Sequence, residues 1–199
     1  MPDYQHSCFI SYKHVPEPDS LQAAKHFELE FIEALERKVD FFRQIALSTY
    51  RDVQLRSRPG VHYPRELAQR LCRSVCMIAV LTPEYMESNW CVAEWQAMER
   101  LEKAREIGTS EGCIIPIFRR GDPRRAKLFC GTRELIDFSQ VVAPRSQLDR
   151  VWSRQALMAI GAQVARLAAH GSPVDCADFS IVVREGVALP TLDDPDPLA

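Results

Sequence analysis

The sequence contains no run approaching about 18 consecutive apolar residues, so no segment reads as a membrane-spanning helix. Its opening, Met1-Pro2-Asp3-Tyr4-Gln5-His6, lacks the basic segment and apolar core of a secretion signal, and the expectation is a soluble, cytoplasmic protein. An excess of one charge is also missing: 25 Lys and Arg stand against 27 Asp and Glu, a net charge of −2. Neither a nucleic-acid nor a membrane partner is expected from that balance. No GxGxxG or GxxxxGK(S/T) loop occurs, which removes the dehydrogenase and P-loop readings. The GxSxG match Gly108-Thr109-Ser110-Glu111-Gly112 lies between a helical pattern and a strand, the reverse of a strand-to-helix nucleophile elbow, and histidines 6, 14, 26, 62 and 170 fall in no relevant pattern, so a Ser-His-Asp hydrolase is a poor fit. The seven cysteines include no CxxC pair, and Cys72 and Cys76 have no partner group nearby, so no metal site is expected. Their odd count and their setting in apolar runs read as buried thiols in a reducing compartment.

What is present suits one ordinary domain: 199 residues, 46% hydrophobic and 26% charged. Short apolar runs with strand composition recur at Ser7 to Tyr12, Leu47 to Arg51, Val75 to Thr82, Cys113 to Phe118 and Leu135 to Phe138. Helical spacing separates them, the alternation of βα units in a parallel sheet with helices on both faces. The run Cys76 to Leu81 is apolar without alternation, as a central strand covered on both sides must be. Helices are expected from Asp19 or Ser20 to about Ala46, bent near Asp40, then over Pro64 to Arg73, Asn89 to Arg105 and Gln147 to Ala169. Residues 1–170 therefore form the expected domain and 171–199 an extension. In that extension Phe179 to Val183 reads as a possible extra strand and the acidic, proline-containing end as disordered. The basic run Arg119 to Lys127 reads as a solvated loop after the fourth strand.

One carboxylate breaks the pattern. At about 100° per residue, Trp90, Cys91, Ala93, Trp95, Ala97, Met98, Leu101 and Ala104 share one broad arc, and Glu94 falls near its middle. Val92, Gln96, Glu99, Arg100 and Lys103 take the other side. A carboxylate on a buried face needs a partner or lines a cavity. Paired, it is merely structural. Facing the crevice where ligands bind, outside the carboxyl ends of parallel strands, it is a site residue. Tyr12 and Lys13, at the end of the first strand, would share its rim if the first and central strands are neighbours.

Three segments together resemble a Toll/interleukin-1 receptor (TIR) domain of the bacterial type. They are Cys8-Phe9-Ile10-Ser11-Tyr12, then Tyr50-Arg51-Asp52 followed by Arg58-Pro59-Gly60, then Tyr85, Ser88, Trp90, Cys91 and Glu94, which match a Y..S.WC..E pattern. The resemblance spans roughly residues 6 to 169. The chain departs from the family in a longer first helix, in a more basic stretch over residues 53 to 63, and in the absence of a Phe-Trp box near the last helix.

The resemblance implies a flavodoxin-like, five-stranded parallel sheet and, in enzymatic members, cleavage of NAD+ between nicotinamide and ribose. It would make Glu94 catalytic and Tyr12, Lys13 and Trp90 substrate-binding. It gives Arg58, Pro59 and Gly60 a place in an assembly loop, Gln54 to Tyr63, through which copies self-associate. NAD+ would be a substrate, with no cofactor. With only about 30 residues after the last long helix, no sensor domain is expected, so activation would come from assembly, a ligand or a partner protein. The rival readings are a non-enzymatic TIR interaction module and a relative acting on another N-glycosidic bond. The chemistry suits the residues: that bond breaks through an oxocarbenium-like state, which a carboxylate against the ribose stabilises. Trp90 or Tyr12 could stack on a base, and Lys13 could meet the diphosphate.

Overall fold

A computed structural model describes residues 4–13, 22–42, 47–51, 63–107, 112–141, 147–148, 150–170 and 173–183. Five strands follow the apolar runs to within a residue or two: β1 (His6–Tyr12), β2 (Ser48–Arg51), β3 (Ser74–Leu81), β4 (Ile114–Phe118) and β5 (Ile136–Asp137). Between them lie α1 (Gln22–Phe42), α2 (Tyr63–Cys72), α3 (Pro83–Met86), α4 (Asn89–Ala104) and α5 (Pro123–Cys130), and α6 (Val151–His170) follows β5. All strand pairs are parallel, in the order β2-β1-β3-β4-β5. This is the flavodoxin-like arrangement, with β3 in the middle and every one of its residues buried. In the β1 to β3 pairing, Cys8 lies opposite Cys76, Ile10 opposite Ile78 and Tyr12 opposite Val80. The chain reverses direction across the sheet between these two strands. Right-handed crossovers then place α1 and α6 together on one face and α2 beside α4 on the other.

Two rim segments differ from their sequence reading. Between the expected strand Val75 to Thr82 and the expected helix from Asn89, where no element was read, lies the single helical turn α3, capped by Thr82, whose hydroxyl accepts from the Tyr85 amide at 3.2 Å. The basic run is not a solvated loop throughout: Asp122 caps α5, and Ala126 and Cys130 are buried on its inner side. Arg119 is itself buried, its guanidinium 4.7 Å from the centre of the Phe31 ring. Gly121 has φ +108°, and a Cβ there would come within 2.8 Å of Pro83 Cγ. The β3–α3 and β4–α5 connections thus meet at one rim.

Other expectations are corrected nearer the C-terminus. α6 begins at Val151, a few residues later than expected, after a turn in which the Arg150 amide donates to Gln147 O. Phe179 to Val183 form no strand. That segment instead lies over α4, with Arg100 donating to Ser180 O at 2.7 Å and its guanidinium 5.8 Å from the Phe179 ring centre. Cys72 and Cys176 are joined by a disulfide, so the reading of all seven cysteines as thiols is overturned. Packing of residues 173–183 beside the end of α2 brings together two sulfurs 104 positions apart in the chain. Cys8, Cys76, Cys91, Cys113 and Cys130 are buried thiols outside any disulfide. The start of the first helix before Gln22, residues 43–46, and the tail from residue 184 lie outside the described residues, and no described helix is long and apolar enough to cross a membrane.

Candidate active site

In an open parallel sheet the strand ends leave a crevice where neighbouring crossovers leave in opposite directions, here between β1 and β3. β1 delivers Ser11 and Tyr12 to that place, with Lys13 just beyond, while β3 ends at Leu81 and passes through Thr82 into α3 and α4. Ser88 starts α4, its hydroxyl accepting from the Cys91 amide at 3.4 Å, and this fixes which side chains of the first turns point inward. Trp90 and Glu94 are four residues apart and so share a helix face. Trp90 is 37% exposed and Glu94 only 6%.

Glu94 has a built environment. Ser11 Oγ donates to its Oε2 at 2.5 Å, and the Ser11 hydroxyl lies 3.0 Å from the Tyr85 hydroxyl. Tyr85 is fully buried, with its phenol also 3.4 Å from Cys91 O. Burial pushes the Tyr85 phenol well above its ordinary pKa, and the nearby Cys91 and Glu94 push the same way. It is therefore a neutral donor throughout the physiological range. Lys13 Nζ donates to Ser88 Oγ at 3.3 Å, which places a cation at the mouth of α4. Tyr12 is partly buried and packs against the core.

The structure thus places Tyr12 and Lys13 at the end of β1 and Trp90 and Glu94 in the first turns of α4, the two elements being joined through Lys13 to Ser88 and Ser11 to Glu94. Arg58, Pro59 and Gly60 lie outside the described residues. The sequence-derived arc on α4 is correct for Cys91, Ala93, Glu94, Trp95, Ala97, Met98 and Leu101, whereas Val92, assigned to the polar side, is buried and Ala104 is exposed. Two residues that contact the carboxylate network, Ser11 and Tyr85, received no role from the sequence. The available signal was a hydroxyl in the otherwise apolar end of β1, beside the central strand.

Neighbouring groups fix the walls. Trp95 packs edge to face on Phe129 at 4.8 Å, and the same Phe129 meets Tyr85 at 6.2 Å. The Cys130 thiol is pushed up to about 12 by burial, so it is no nucleophile. Among the described residues no group of three or more His, Cys, Asp or Glu could hold a metal ion. A groove of about 720 Å³ lies elsewhere, lined in part by Glu99, Glu102, Arg133 and Gln163. Arg133 there is already committed, to Glu99 at 3.3 Å and Glu102 at 2.6 Å, and Glu94 does not line it.

A protein-family model described as TIR domain matches residues 9–152, a span that contains β1 through β5 nearly whole and every rim residue named above. A search of curated proteins finds no matching sequence.

Proposed function

The chain belongs to the TIR domain family, and from that premise we propose that it is an NAD+ glycohydrolase or cyclase, a bacterial immune or signalling effector that works in the cytoplasm. The buried Glu94 carboxylate, held at the strand-end crevice by Ser11, is the observation that carries this reading. In this role Glu94 accepts hydrogen bonds from the ribose and offsets positive charge as the nicotinamide bond breaks. Trp90, exposed one turn before it, and Tyr12 offer flat faces for the base, and Lys13 offers its ammonium to the diphosphate. Water attacking the cation gives ADP-ribose; attack by the substrate's own adenine or ribose gives a cyclic isomer. Self-association through the loop holding Arg58, Pro59 and Gly60 completes the proposed active form, with a ligand or partner protein as trigger.

The second reading is a scaffold that binds other TIR domains and turns over nothing. What favours it is that Ser11 already satisfies part of Glu94, as a purely structural carboxylate requires. Incubating NAD+ with the protein at several concentrations, with and without a crowding agent, and separating products by chromatography distinguishes the two. The enzyme reading predicts nicotinamide release rising faster than protein concentration. Intact NAD+ under every assembling condition contradicts it and leaves the scaffold.

A further inference from the structure

We propose that Ser11 and Tyr85 are positioning residues, two links of a reversible hydroxyl relay that holds Glu94 in one place in both of its protonation states. The inference deepens the enzymatic reading by naming what orients its carboxylate, yet it stands on contacts that can be tested without turnover.

Counting hydrogens makes the case. An ionised carboxylate only accepts, so Ser11 must spend its single hydrogen on Glu94 Oε2. The 3.0 Å contact between Ser11 and Tyr85 then requires Tyr85 to be the donor. All hydrogens in the ionised state therefore point toward Glu94, from Tyr85 through Ser11. If Oε2 gains a proton from solvent or substrate, it becomes a donor, and the order reverses. Glu94 then donates to Ser11, Ser11 donates to Tyr85, and Tyr85 turns its hydrogen to Cys91 O, the acceptor 3.4 Å away. Each hydroxyl keeps its own hydrogen and only rotates, so the sole proton gained is the one on Glu94. A relay ending in a backbone carbonyl satisfies either state, whereas a serine alone would leave a lone hydroxyl hydrogen without an acceptor when the glutamate is protonated.

The three side chains come from β1, α3 and α4 and are all buried, so the network is shielded from competing water. Among the described residues, the titratable groups facing it include the Tyr85 phenol itself, the Cys91 and Cys130 thiols from α4 and α5, and the Lys13 ammonium held at Ser88 from the end of β1. Tyr85 stays a donor because its phenol remains neutral. A charge-assisted bond from Ser11 favours the ionised carboxylate, and losing it shifts the glutamate's titration upward.

The test is carboxyl-carbon NMR of the full-length chain labelled with carbon-13 glutamate, the Glu94 signal being identified by its absence in Glu94→Gln. Ser11→Ala is expected to raise the Glu94 titration midpoint by about one pH unit, Tyr85→Phe by less, and Ser11→Thr, which restores a hydroxyl, hardly at all. An unchanged midpoint in Ser11→Ala overturns the relay, and so does an unchanged one in Tyr85→Phe should the alanine variant fail to fold. NAD+ turnover is read on the same samples: Ser11→Ala should lower kcat by about tenfold or more with KM little changed, and Ser11→Thr should recover most of it. A shifted midpoint with no turnover in any sample upholds the relay and refutes NAD+ cleavage. Turnover in the wild type with an unmoved midpoint does the opposite.

Discussion

Arg105 and Glu94 are both ionisable side chains, buried and on or beside the same helix, yet the sheet uses them at opposite ends. Arg105 follows the last turn of α4 and closes the amino end of β3, its guanidinium donating to Cys72 O, Ser74 O and Val75 O at 2.7 to 3.0 Å and lying 5.0 Å from the Tyr4 ring centre. Its other contact is the buried Cys113 Sγ, 3.8 Å from Nη1, and a charge spent on backbone carbonyls, a ring and a buried thiol is a structural one. Arg105→Ala should cost about 3 kcal/mol, seen as a lower urea midpoint with unchanged slope, because three buried carbonyls lose a charged donor. A loss within about 0.5 kcal/mol would show that water replaces it. Glu94, by contrast, meets hydroxyls at the strand-end crevice, where ligands of such sheets sit. The anomaly of Glu94 was legible, since a carboxylate in an apolar arc can be found by counting along one helix. Its partner was not: Ser11 lies 83 residues away, and only the pairing of β1 with β3 brings the two together.

Among the elements, those with long apolar runs were easiest to place. β3 is buried along its whole length and its composition says so, while β4 begins and ends within a residue of its apolar run. α5 escaped notice because its eight residues carry only Ala126, Phe129 and Cys130 against the core among basic neighbours, too short a stripe to outweigh the charge around it. The irregular segment Phe179 to Val183 misled in the other direction: Phe179, Ile181 and Val183 pack on the core while Val182 is exposed, but the segment pairs with no strand of the sheet. The meeting of the two rim connections makes a specific claim about Gly121. Gly121→Val must adopt an unfavourable φ and press on Pro83, so stability should fall by about 1 to 3 kcal/mol. An unchanged melting temperature would mean that the two connections separate at little cost.

At the scale of the whole molecule, alternating βα patterns were enough to name the architecture, and the neighbouring of β1 and β3 sets the end of β1 beside the start of α4. The Cys72 to Cys176 bond was not readable, because an odd number of cysteines in apolar runs says nothing about which two meet. The buried acids that remain neutral set the alkaline limit of stability. Burial raises Tyr85 well above 10.0, Cys113 to about 11 and Cys130 to about 12. Folded, these groups hold their protons more tightly than the unfolded chain does, so their contribution is full below pH about 9 and declines as pH climbs toward the folded values. Denaturation midpoints should fall steadily above pH 9, and Cys130→Ala should flatten that decline; a flat profile to pH 11 would contradict the burial of these groups.

The central claim is that Glu94 performs chemistry at this rim. The most direct measurement is the rate of nicotinamide release from NAD+ by wild-type protein and by Glu94→Gln, each at the concentration where the wild type is most active, with melting temperatures taken on the same samples. The account predicts release by the wild type, a loss of at least about a hundredfold in the variant, and melting temperatures within a few degrees of each other. Equal release by both proteins, or a variant that loses activity only because it unfolds, would contradict it.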